Sequence, residues 1–109
     1  DVPPFDVVVL GLGADGHTAS FFPKSPQLEK VLDADATEKI MAVTAPGAEE
    51  ARLTFTLPWL LRAALLCLHC EGAAKKAVLK EALGAGPVAD MPIRAVLRAA
   101  TPVSLYWCP

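Results

Sequence analysis

Residues 5–23 read FDVVVLGLGADGHTASFFP, and the fold of the chain turns on them. Phe5–Leu10 (FDVVVL) is a continuous run rich in β-branched side chains, which fits a parallel strand buried on both faces. Gly11, Gly13 and Gly16 then close it in a turn. A glycine-rich turn directly after a buried strand lies at the carboxyl end of the sheet, the edge at which open α/β folds bind ligands. HTASFF has room for one or two helical turns. Pro23 and Pro26 stop anything longer, so loop with short helical pieces is expected to Asp35.

Outward from this stretch, strands and helices alternate. KIMAVT (Lys39–Thr44) is a strand candidate, followed by a Pro46-Gly47 turn and the extended piece RLTFT. Leu57–Ala64 reads as a helix with Pro58 in its first turn. Leu65–His69 (LLCLH) is a short buried strand ended by Glu71-Gly72, and Ala73–Leu83 is a run of strong helix formers stopped by Gly84 and Gly86. A last helix, Pro92–Arg98, precedes the closing strand VSLYW. The alternation predicts an α/β layer structure, a mainly parallel, Rossmann-like sheet flanked by helices.

At 109 residues and 53% hydrophobic content, the chain can build one packed core but not two ordinary domains, so residues 1–109 are expected as a single unit. A formal net charge of -2 gives no field of one sign to attract nucleic acid or an anionic membrane, and the expected partner is a small molecule. Nothing approaches the ~20 apolar residues of a membrane span, nor is there a basic-then-apolar start, and a cytoplasmic protein is expected. The sequence starts at Asp1 and enters a strand within a few positions, which reads as a piece of something longer. Three cysteines, Cys67, Cys70 and Cys108, sit in apolar runs and fit buried reduced thiols.

Asp15 and His17 are the titratable side chains of the glycine turn. Glycines at 11, 13 and 16 permit backbone angles and close ligand approach that a Cβ would obstruct, so His17 can face a substrate from the sheet edge. A neutral imidazole, with a reference pKa of roughly 6.5, can take a proton from water near pH 7. Asp15 can orient that ring or hold a substrate hydroxyl. GLGADG also matches the dinucleotide fingerprint G-x-G-x-x-G, and Asp33 or Asp35 would supply its acid. The fingerprint demands a long helix after the third glycine, which Pro23 and Pro26 forbid, so the match is formal.

The string VVLGLGADGHTASFFP closely resembles the signature G-x-G-x-D-G-H-x-A-S-x-F-P of the 6-phosphogluconolactonases. RLTFTLPWLLRA (52–63) is similar to that family's arginine followed by a threonine-leucine-proline segment, and EGAAKKAVL (71–79) to its glycine-x-x-lysine helix start. The likeness covers essentially the whole chain, strongest at 7–23 and weakest at 26–45. Ala14 departs from the acidic residue of many members, at a position that varies. The resemblance implies the C-terminal portion of one α/β lactonase domain, with the N-terminal half of the same enzyme absent from these residues and expected as its partner. It further implies a metal-free, cofactor-free hydrolysis of 6-phosphoglucono-1,5-lactone with His17 as general base, and Arg52 and Lys75 on the substrate phosphate. For those two residues, a place in the first turn of a helix and a forked guanidinium suit an anion. Without the resemblance neither would stand out among solvent-exposed cations.

The related amino-sugar-phosphate deaminases share the D-G-H triplet but continue with an asparagine-glutamate pair where this chain has Phe21 and Phe22. A deaminase or isomerase, and a non-catalytic sugar-phosphate-binding module, remain the competing expectations. Cys67-x-x-Cys70 lacks the second knuckle of a structural zinc site and is expected in the core. Trp59, Tyr106 and Trp107, without the basic interleaving of a nucleic-acid surface, are read as core or interface.

Overall fold

The computed structural model describes residues 4–47 and 50–109. Among these, Val7–Leu10 forms β1, Leu65–Glu71 forms β4 and Val103–Cys108 forms β5. The three make a parallel sheet in the order β1-β4-β5. Between β1 and β4 the chain makes a helix α1 (Leu28–Leu32), an antiparallel pair β2 (Ile40–Thr44) and β3 (Ala51–Phe55), and a one-turn helix α2 (Leu57–Leu60). Between β4 and β5 lie α3 (Gly72–Leu83), a 3-10 turn (Val88–Asp90) and α4 (Ile93–Leu97). The expected α/β architecture with a parallel sheet is therefore present, with the β2-β3 ribbon standing as a separate two-stranded sheet.

Side chains alternate across a strand, so the sheet has two distinct faces. On one, Leu10, Leu66, Leu68 and Cys70 are buried against Ala82, Ile93 and Val96 of the α3-α4 layer. The same core continues through Phe21, Val31, Val43, Leu57 and Leu60 beneath the ribbon. Hydrogen bonds tie the ribbon down: Thr44 N–H donates to Gln27 Oε1 (2.9 Å) and Thr56 Oγ1 to the Glu38 carbonyl (2.6 Å).

Three local expectations need correction. β1 is not buried on both faces: Val7 and Val9 are 54% and 65% exposed, because no described element covers that side of the sheet. HTASFF is not helical. Thr18 bridges to Phe21, whose N–H donates to the Thr18 carbonyl (3.0 Å), and Ala19 takes φ +50°, so the chain turns and drives Phe21 into the core. The helix expected over Leu57–Ala64 stops at Leu60, since Ala64 N–H is already bonded to the Phe5 carbonyl as β4 begins.

Candidate functional site

The bend after β1 is held by contacts that require its glycines. Gly13 N–H donates to the His17 carbonyl (2.8 Å) and Gly16 N–H to the Gly13 carbonyl (3.0 Å), closing the loop on itself. A Cβ on Gly13 would run into the His17 ring, and Gly16 sits at φ +86° with Met91 against it. Ile93 N–H donates to the Gly16 carbonyl (2.9 Å), so the start of α4 props the bend from behind. Gly11 has open space where a Cβ would stand, and its carbonyl accepts from the buried Thr18 Oγ1 (2.7 Å).

This frame presents His17 beside Asp15. The two meet at Nδ1 and Oδ1, 2.5 Å apart, and the His17 backbone N–H donates to the same oxygen (3.0 Å). Partial burial would by itself push the Asp15 carboxyl up. The hydrogen bonds from His17 and its charge outweigh that and hold Asp15 below its ordinary value of 3.8. An ionised carboxylate only accepts, so the shared proton belongs on Nδ1. Phe22 forms one wall of the imidazole, its ring centroid 4.8 Å away.

Two cations flank the pair. Lys75, on the first turn of α3, sends Nζ to the Leu12 carbonyl (2.5 Å) and so joins the bend across 63 residues of sequence. Gly11, Leu12, Gly13, His17, Thr18, Ala19 and Lys75 line one open cleft of about 430 Å³. Arg52, exposed on β3, is not among these lining residues. Its guanidinium lies 5.5 Å from the centroid of the Phe22 ring that walls His17. The structure thus brings Asp15, His17, the glycines and Lys75 together, with Arg52 one aromatic ring removed.

Sequence reasoning missed Phe22, Thr18, Met91 and Ile93 as parts of the site. The threonine next to His17 was the one available signal; the others are apolar residues whose role is a matter of contact. No long helix follows the third glycine, so the dinucleotide fingerprint is indeed formal. Chain-wide comparison points the same way as the geometry. The family model for glucosamine-6-phosphate isomerases/6-phosphogluconolactonase matches residues 1–107. The chain belongs to this glucosamine-6-phosphate isomerase/6-phosphogluconolactonase family.

Within the family, the chain is 53% identical over 107 residues to a 6-phosphogluconolactonase of Rhizobium meliloti, covering 97% of this chain and 46% of that protein. It is 45% identical over 108 residues to the 6-phosphogluconolactonase of Pseudomonas putida, covering 99% of this chain and 44% of that one. A crystal structure of a 6-phosphogluconolactonase from Shewanella baltica superposes with a TM-score of 0.86 at 43% identity, covering 95% of this chain and 44% of its own. The chain therefore spans less than half the length of these relatives. Among the described residues no helix is long and apolar enough to cross a membrane.

Elsewhere Cys67 and Cys70 are buried as expected, whereas Cys108, at the end of β5, is only partly buried. Cys67 and Cys70 are three apart on β4, so they point to opposite faces and cannot share a ligand. Burial pushes the Cys70 thiol up, and the nearby Lys75 charge only partly offsets this. Tyr106 and Trp107 are not core residues: they are 55% and 42% exposed on β5. Trp59 is half-buried, and cations do accompany the tryptophans, Lys39 and Arg62 over Trp59 and Lys76 over Trp107.

Proposed function

We propose that this chain is the C-terminal portion of a single-domain lactonase that hydrolyses 6-phosphoglucono-1,5-lactone to 6-phosphogluconate in the pentose phosphate pathway, working in the cytoplasm. The observation that carries the reading is the Asp15–His17 pair, whose ring opens on the same cleft as Lys75. Asp15 fixes the imidazole with its proton on Nδ1, and Nε2 is the base. It takes a proton from water as the water oxygen bonds to the lactone carbonyl carbon, giving a tetrahedral oxyanion. Collapse breaks the bond from that carbon to the ring oxygen, and the imidazolium returns its proton to the departing oxygen. One water is consumed and the base is regenerated, with no metal or cofactor needed for any step.

Lys75 and Arg52 anchor the substrate phosphate. The lysine has donors left after its bond to Leu12, and the first N–H groups of α3 lie beside it without a side-chain cap. Phosphate binding remote from the reacting carbon can then hold the ester against Nε2. Gly11, where open space adjoins the backbone, lets substrate approach closely, and N–H groups of the glycine loop are available to the oxyanion.

A deaminase or isomerase would need a second acid at the ring. Phe21 and Phe22 stand at the positions that matter, and Phe22 packs on the imidazole. The remaining half of a family-length chain is the proposed partner, laid over the open side of the sheet, and the 109 residues alone are expected to turn over weakly or not at all. The test uses a family-length chain carrying these residues. Lactone hydrolysis without ammonia release from glucosamine 6-phosphate is expected, and His17→Ala should lower turnover by about 10²–10⁴-fold while phosphate still binds. Unchanged hydrolysis in that variant would remove His17 from the chemistry.

A further inference from the structure

The uncovered face of the sheet changes character along its length. At the amino end of the strands it carries Val7, Val9 and Leu65; at the carboxyl end it carries His69 and Glu71 of β4 and Cys108 of β5. His69 and Glu71 are two apart on one strand and so share this face. The parallel register sets Cys108 directly beside Glu71 and Tyr106 beside His69.

His69 Nε2 lies 3.7 Å from Glu71 Oε1, and the ligand atoms of all three residues fall within 4.8 Å of one another. We propose that His69, Glu71 and Cys108 form a binding site for a divalent cation of the zinc class, a clip joining the ends of β4 and β5. It shares no residue with the lining of the His17 cleft.

The donor set selects the ion. One imidazole nitrogen, one carboxylate oxygen and one sulfur suit zinc and its first-row neighbours, whereas calcium and magnesium take oxygen almost throughout. Bond lengths of about 2.0–2.3 Å in a tetrahedral zinc site put neighbouring ligand atoms about 3.5 Å apart. The His69–Glu71 pair already meets that spacing. The backbones are fixed by the ladder and the ligand atoms already lie within 4.8 Å of one another, so only rotation of side chains is needed to bring the sulfur in. Three protein ligands leave the fourth position to water, as expected for a group whose histidine and glutamate are exposed. A surface ion pair alone would be worth little at this exposure, and it would not account for a thiol in register with Glu71 and within 4.8 Å of both ligand atoms.

Zinc titration of a reduced family-length chain carrying these residues, so that whatever lies over this face is in place, with bound metal measured after dialysis, tests this directly. One equivalent per chain is expected, with cobalt giving a thiolate-to-metal charge-transfer band in the near ultraviolet. Cys108→Ser should abolish that band, and His69→Gln should weaken zinc binding by at least about tenfold. Asp15→Asn should leave both unchanged, which separates the site from the other histidine-carboxylate pair. His69 is half exposed on the sheet surface, so its variant should melt as the metal-free protein does. A cobalt band that survives Cys108→Ser, zinc affinity indifferent to His69→Gln, or no zinc bound at micromolar concentration would overturn the proposal.

Discussion

Gly13 and Asp15 are the residues through which the candidate base can be disturbed without touching it. A Cβ at Gly13 would meet the His17 ring and approach Asp15 Oδ1 to 2.9 Å, so Gly13→Ala must displace the imidazole. Overpacking of this kind costs about 1–3 kcal/mol. A melt combined with hydrolysis rates in the family-length chain should therefore record a modest stability loss and a large activity loss. Asp15 has its carboxyl held below the unfolded value, so its pair with His17 stabilises the fold above about pH 4. That contribution disappears as pH falls through the folded value. Asp15→Asn should thus melt lower than the parent protein near neutrality, with the gap closing below about pH 4, and its turnover should fall less than that of His17→Ala. A gap that widens in acid would contradict the pairing. The types and positions of Asp15 and His17 could be read in the sequence; their 2.5 Å contact could not, because it depends on the bend that Gly13 and Gly16 allow.

At the scale of elements, Arg94 joins the two helices behind the sheet. It is 4% exposed, and its guanidinium donates to the carbonyls of Ala82 (3.2 Å), Glu81 (3.1 Å), Ala85 (3.2 Å) and Pro87 (3.1 Å). Two are carbonyls of the last turn of α3, where the negative end of the helix dipole lies, and two belong to the loop just beyond it. Among the described residues no carboxylate pairs with it. Arg94→Met would keep much of the stem while orphaning the Ala82 and Ala85 carbonyls, since Glu81 and Pro87 still accept from the Gly84 and Asp90 N–H groups, and about 3 kcal/mol should be lost. On a domain of this size that is a fall in melting temperature on the order of 10 °C or more. Arg94→Lys should recover part of it; a variant melting with the parent would show that water replaces the guanidinium freely. Strand and helix positions were largely legible, since apolar runs and glycine or proline stops mark β1, β2, β4, α3 and β5. The buried cation was not, because an arginine in PIRAVL reads as a solvent-facing helix residue until α3 is folded over it.

Across the whole molecule, the open face of the parallel sheet governs behaviour in solution. Val7, Val9 and Tyr106 lie more than half exposed, with Leu65 at 43%, and β1 is paired on one side only among the described strands. An apolar face beside an unpaired strand edge favours association. Sedimentation of the 109-residue chain should reveal concentration-dependent self-association, and Val9→Lys should reduce it without lowering the melting temperature; a monomer at all concentrations would count against this. By itself, the sequence determined the α/β class, the strand-bend unit at residues 7–17 and the kinship with its family, because local hydrophobic runs, glycine spacing and a dense motif are written in adjacent residues. Only the tertiary structure decided that Lys75 reaches the Leu12 carbonyl, that Phe22 links Arg52 to His17, and that β1 keeps one face uncovered. Each of these depends on which residues distant in the chain become neighbours, and that is set by register and by the layers that pack on the sheet.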